Sequence, residues 1–143
     1  MILERVWVKS LRNIEELQLS LHPRCNVIVG QNGSGKTSLL ESIYLLSRGQ
    51  SFRTRSVSPL IQFDKNQLML HGKTFNEESI FIEKDEKGQT KALVNQKRCQ
   101  RVAELSQLLP CQLFHQDLFQ IIDASSQIRR RLLDWGLFYL ESD

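Results

Sequence analysis

The chain has 143 residues, 41% of them hydrophobic and 24% charged, with a net charge of +3 and a pI near 8.9. That is one domain's worth of ordinary globular protein, long enough for a real core, and its mild basicity is compatible with a nucleic-acid partner without demanding one. Three cysteines (Cys25, Cys99 and Cys111) without metal-like spacing argue against a disulfide framework and for a reducing compartment. Glu4 and Arg5 interrupt the first apolar stretch, so no secretory signal is expected there, and no apolar run approaches a membrane span. The expected location is the cytoplasm, with no membrane partner.

In chain order, Ile2 to Lys9 alternates loosely, with Leu3 and Val6 among polar neighbours, and reads as a strand. Leu11-Arg12-Asn13 reads as a turn, and Ile14 to Leu21 as a second strand with Leu17, Leu19 and Leu21 on one face, so the two form a hairpin. After a turn at His22-Pro23-Arg24, Cys25 to Val29 reads as a short buried strand. A glycine-rich stretch follows, and Leu39 to Leu46 then reads as a helix with apolar residues on more than one face. Arg48 to Ser58 is polar and holds three arginines. Leu68–Gly72, Ser79–Lys84 and Lys91–Val94 read as strands, with turns at Asp85–Gly88 and Asn95–Arg98. Arg101 to Leu108 is an amphipathic helix stopped by Pro110, Cys111 to Phe114 a short apolar strand, and a longer helix begins at Ser125 or Ser126.

The glycine-rich stretch is the part that specifies chemistry. Gly30-Gln31-Asn32-Gly33-Ser34-Gly35-Lys36-Thr37-Ser38 fits the phosphate-loop pattern G-x-x-x-x-G-K-[ST], in the order strand, loop, helix that the pattern needs. Glycines let successive N–H groups turn inward at phosphate oxygens, and the helix start adds its partial positive charge. Lys36 is spaced to reach the β- and γ-phosphates of ATP, and the Thr37 hydroxyl to sit on Mg²⁺. Two β-segments precede the loop, which favours an ATPase of the ABC type over a small-molecule kinase. The expected fold is therefore α/β, the amino-terminal lobe of an ABC-type P-loop ATPase head, with antiparallel segments beside the loop and its helix.

Leu11 to Ile14 together with Val29 to Tyr44 resembles the amino-terminal end of the RecF family, bacterial recombination-mediator and gap-repair ATPases related to the Rad50 and SMC heads. Ser51-Phe52-Arg53-Thr54, Asp117-Leu118 and Arg129 to Gly136 (Arg-Arg-Arg-Leu-Leu-Asp-Trp-Gly) extend the resemblance in collinear order through the chain. Two stretches depart from the family pattern: His115-Gln116 stands for a Pro-Glu pair, and Ala124-Ser125-Ser126 for a Gly-Gly-Pro-like turn. The resemblance implies ATP and Mg²⁺ as cofactors and an ATP-dependent homodimer. It implies DNA (single-stranded, gapped or duplex) and repair mediator proteins as partners, in gap repair, replication restart and the SOS response. It also implies that residues 1–143 are the amino-terminal part of a longer head with weak DNA-dependent ATPase activity, inactive without its second half. Leu46-Ser47-Arg48-Gly49-Gln50 is a near match to the L-S-G-G-Q signature but closes the phosphate-loop helix instead of opening its own. Leu118 to Asp123 has the apolar run of a Walker B strand, but Ala124 replaces the expected glutamate.

Several residues carry two readings. Arg53 either reaches the γ-phosphate or is a solvated loop arginine, and Arg12 and Asn13 either flank the nucleotide or merely form a turn. Arg129 to Arg131 either meet DNA phosphate or lie on a solvated helix face. Gln116 stands where related ATPases keep a glutamine that senses Mg²⁺ and γ-phosphate. Two other classes are consistent with the loop alone: the nucleotide-binding subunit of an ABC transporter and a non-hydrolysing nucleotide-binding module.

Overall fold

Alternating side chains build an antiparallel sheet with one inward face. The structure, a computed structural model, describes residues 2–114 together with Arg130 and Asp134. Strands β1 (Leu3–Leu11), β2 (Ile14–Ser20), β3 (Gln67–Thr74), β4 (Ser79–Asp85), β5 (Thr90–Val94) and β6 (Lys97–Arg98) form one sheet in the order β2-β1-β3-β4-β5-β6. Every neighbouring pair runs antiparallel. Leu68 and Leu70 of β3, Ile80 and Ile82 of β4, and Val6 and Val8 of β1 are fully buried on the inner face. Helix α1 (Lys36–Arg48) lies on that face through Leu39, Leu45 and Leu46, and α2 (Val102–Leu108) packs beside it through Leu105. The two helices are stitched by Ser47 Oγ, which donates to the Leu109 carbonyl at 2.6 Å, and Ser106 Oγ, which donates to the Ser47 carbonyl at 3.0 Å.

The loose alternation of the first strand has a physical cause. Leu3 pairs with Thr74 and Arg5 with Lys73, so two steps on β1 match one on β3. This bulge lets Leu3 and Val6 both point inward although three positions apart. A second irregularity was hidden in the turn expected at Asn95–Arg98. Asn95 and Gln96 both hold positive φ (49° and 66°), which makes a tight two-residue hairpin and frees Lys97–Arg98 to form β6.

Two expected strands are absent. Cys25–Val29 carries no ladder, and Val27 and Val29 are 80% and 83% exposed. Apolar composition fits a strand, but a strand exists only through its partners, and no described residue pairs with this one. Cys111–Phe114 likewise has no ladder. The chain divides into a unit ending at Cys111 and a second unit from Gln112. In the second, Gln112–Phe114 has no regular structure, and Arg130 and Asp134 are helical and exposed. The rest of the helix expected from Ser125 or Ser126, with His115-Gln116, Asp123 and Ala124, lies outside the described residues. The near-signature Leu46–Gln50 does end α1: Gly49 takes a left-handed cap (φ 65°) and its N–H donates to the Leu45 carbonyl at 2.7 Å.

Helix α1 packs tightly on the sheet at Gly72 of β3, where an added Cβ would lie 3.0 Å from Leu3 Cδ1 and 3.1 Å from Leu46 Cδ1. Gly72→Val should overpack this contact and lower stability by about 1–3 kcal/mol. Denaturant unfolding measures it, and an unchanged midpoint would mean that α1 does not sit against β3.

Candidate functional site

Three glycines turn the chain from residue 30 into α1. Gly33 and Gly35 hold φ of 82° and 93°, in the left-handed range that side chains resist. Gly35 is the N-cap of α1, and it brings no side-chain cap to the free N–H groups of the first turn, which also lacks an acidic residue. The positive end of a 13-residue helix is therefore left unneutralised. An added Cβ at Gly33 would meet nothing within 4 Å, so the loop backbone there faces open space. These features fit an anion ligand.

The β1–β2 turn braces the loop from one side. Asn13 Nδ2 donates to the Gly33 carbonyl at 2.8 Å, and Ser38 Oγ donates to Asn13 Oδ1 at 2.9 Å, so one amide ties the hairpin to the loop and to α1. Lys36 Nζ donates to the carbonyls of Gly30 and Gln31, both at 2.7 Å, which folds the lysine over the loop. A cavity of about 430 Å³ opens here, lined by Arg12, Asn13, Asn32, Gly33, Ser34, Gly35, Lys36, Thr37, Ser38 and Arg53. Gly30 and Gln31, the remaining loop residues of interest, meet it through the Lys36 amine. Among the described residues, three cations and no carboxylate line this space.

Behind the wall sits a residue that the sequence pattern did not single out. Glu41 of α1 is completely buried. It receives Arg12 Nε and, at 2.9 Å, Arg12 Nη2 on its two oxygens, and the Ser51 hydroxyl on one of them. Arg12 Nη1 also donates to the Pro59 carbonyl at 3.2 Å, so its guanidinium is held on two sides. The Ser51 oxygen in turn accepts the backbone N–H groups of Arg53 (2.9 Å) and Thr54 (3.2 Å). The Phe52 ring meets Tyr44 edge-on at 5.5 Å and anchors the same turn to α1. The available signal was position: residue 41 falls on the helix stripe of Ser38, Ser42 and Leu45, all buried.

Burial opposes ionisation of Glu41, but the hydrogen bonds from Arg12 and Ser51 and the charges of Arg12 and Arg53 outweigh it and hold the carboxyl below its ordinary 4.5. The hydrogen bond to Glu41 raises Arg12, against a smaller opposing effect of burial. A carboxyl depressed in the folded state stabilises fully above its unfolded value, and this stability is lost as pH falls through the folded value. Denaturant unfolding from about pH 7 to about pH 3 should therefore show stability dropping below about 4.5, less steeply in Glu41→Gln. Identical slopes would mean that the pair is not ionised in the folded chain.

Residues 2–119 match the family model described as the RecF/RecN/SMC N terminal domain. The chain is 40% identical to the DNA replication and repair protein RecF of Salmonella arizonae over 99% of its own length and 41% of that protein's. It is 40% identical to the RecF of Pectobacterium atrosepticum over 99% and 40%. It thus spans about two fifths of the curated relatives it matches. Among solved structures it is similar to a RecF–ATPrS structure of the RecFOR pathway (TM-score 0.83, 29% identity), covering 97% of this chain and 38% of that one. An SMC ATPase structure aligns at a TM-score of 0.77 with 19% identity, over 94% of this chain and 99% of that one, and shares the fold. The fold is that of the amino-terminal part of a RecF/SMC ATPase head. Its glycine loop, first hairpin and sheet all lie within the matched residues, and the chain belongs to the RecF/RecN/SMC N-terminal domain family.

Proposed function

We propose that this chain is the ATP-binding, Walker A lobe of a RecF-type DNA repair protein. The observation that carries this reading is the uncapped, unneutralised start of α1 facing a cavity lined by three cations. In this reading the N–H groups from Gly33 to Thr37 cradle the β- and γ-phosphates, Lys36 swings from the Gly30 and Gln31 carbonyls onto them, and the Thr37 hydroxyl ligates Mg²⁺. Mg²⁺ needs few protein ligands when phosphates supply the others, so one hydroxyl suffices on this side. Asn32, Ser34 and Ser38 shape the rim, Arg12 and Asn13 form the wall, and Arg53 meets the γ-phosphate.

Support for the longer context comes from the exposed segment Cys25–Val29, whose apolar side chains and unpaired backbone call for strands supplied by residues outside those described. No Asp or Glu among the described residues lines the cavity, so the acid that positions water for hydrolysis comes from elsewhere in the head. The relatives named RecF are DNA replication and repair proteins, and by that likeness the partner is DNA. The full head works as an ATP-held dimer with repair mediator proteins, in gap repair, replication restart and the SOS response, as a weak DNA-dependent ATPase in the cytoplasm. Among the described residues no helix is long and apolar enough to cross a membrane.

Lys36→Ala should remove measurable ATP and ADP binding in titration calorimetry while the circular dichroism spectrum is retained, because it deletes the flexible cation over the loop. Unchanged affinity would overturn the loop reading. Arg53→Ala should weaken ATP by about one to two decades and ADP far less, since only ATP presents the γ-phosphate charge and such a contact contributes about 1.5–3 kcal/mol. Equal losses for both nucleotides would remove Arg53 from the γ-phosphate.

A further inference from the structure

We propose that Glu41 is a positioning residue: through the Ser51 hydroxyl it sets the backbone of Arg53 so that this arginine discriminates a nucleoside triphosphate from a diphosphate. The inference rests on the nucleotide reading of the loop and adds a residue with no contact to the ligand.

The hydrogen-bond inventory of Ser51 carries the argument. A hydroxyl has one proton to donate and two lone pairs to receive. Ser51 gives its proton to Glu41 and receives the N–H groups of Arg53 and Thr54, so every valence is used. Because Glu41 is an acceptor only, it fixes the direction of the Ser51 proton, and with it the lone pairs that fasten residues 53 and 54. The Arg53 side chain forms no hydrogen bond or ion pair with any described residue, yet it lines the phosphate cavity. Its backbone is held and its charged head is left for a ligand.

Arg12 completes the arrangement. Its fork lies on Glu41 and its remaining arm on the Pro59 carbonyl, so Arg12 neutralises the buried acid. The charge of Arg53 also favours the Glu41 carboxylate from across the wall, but Arg12 makes the direct pair, so the Arg53 head is not tied to the acid. Stability gives only a weak reason for an acid at this place, since burying a carboxylate carries a desolvation penalty that pairing at best recovers and an apolar residue would avoid. The polar network makes sense as a device that orders the Ser51–Thr54 turn.

The test is an ATP and ADP titration of the purified chain with Glu41→Gln, Ser51→Ala and Arg53→Ala, singly and in pairs. The amide introduced by Glu41→Gln can donate to Ser51 and so loses the acceptor-only constraint. Ser51→Ala instead leaves the Arg12–Glu41 pair intact and covers the case in which Glu41→Gln fails to fold. Each should lower the ATP-over-ADP affinity ratio by about tenfold, with ADP affinity kept within about twofold. In the Arg53→Ala background neither should change the ratio further. A merely structural role predicts equal losses for both nucleotides, and that result would overturn the proposal, as would an effect on the ratio that persists without Arg53. Binding that depends on Lys36 but keeps its ATP preference in Ser51→Ala overturns the positioning role alone. Absence of any Lys36-dependent binding overturns the nucleotide reading beneath it.

Discussion

Everything at the site depends on the free N–H groups at the start of α1. A helix end without a side-chain cap leaves donors unpaired, and here the first turn holds no acid to offset them. Such an end is costly to bury and useful to expose toward an anion. Gly33 and Gly35 supply the left-handed turns that lead into it, and the Asn13 amide ties the loop to α1 through the Gly33 carbonyl and the Ser38 hydroxyl.

The sheet positions this helix end. Leu45 and Leu46 lock the far half of α1 against β1, β3 and β4, with Gly72 allowing close approach, while Ser47 and Ser106 fasten it to α2. The near half adds polar bonds, Asn13 to Ser38 and Arg12 to Glu41, to the packing of Leu39. Apolar packing supplies adhesion without direction, whereas hydrogen bonds fix orientation. The division suits a helix whose carboxyl end is structural and whose amino end faces a ligand.

What could be read from the sequence follows the same division. The loop was legible because its residue types answer to one backbone requirement, and ten of the twelve candidate binding residues line a single cavity. The β1–β2 hairpin was legible through alternation, and the β4–β5 hairpin through its turn at Asp85–Gly88. Cys25–Val29 misled because composition records what a segment would bury and is silent on whether a partner strand is there. The bulge at Leu3–Arg5 blurred β1 because Glu4 and Arg5 together fill one outward step between the inward Leu3 and Val6. Glu41 escaped notice because a charged residue within a helix ordinarily faces water, and only the long-range meeting of residues 12, 41 and 51 accounts for its burial.

Whether the backbone from Gly33 to Thr37 cradles phosphate can be read from amide NMR spectra of the chain recorded during titration with Mg-ATP. The largest, saturable shifts should fall on the N–H groups of Gly33, Ser34, Gly35, Lys36 and Thr37, since these donate to the phosphates in the proposed cradle. Spectra in which those amides stay fixed at saturating nucleotide, or in which the shifts gather elsewhere on the sheet, would contradict it.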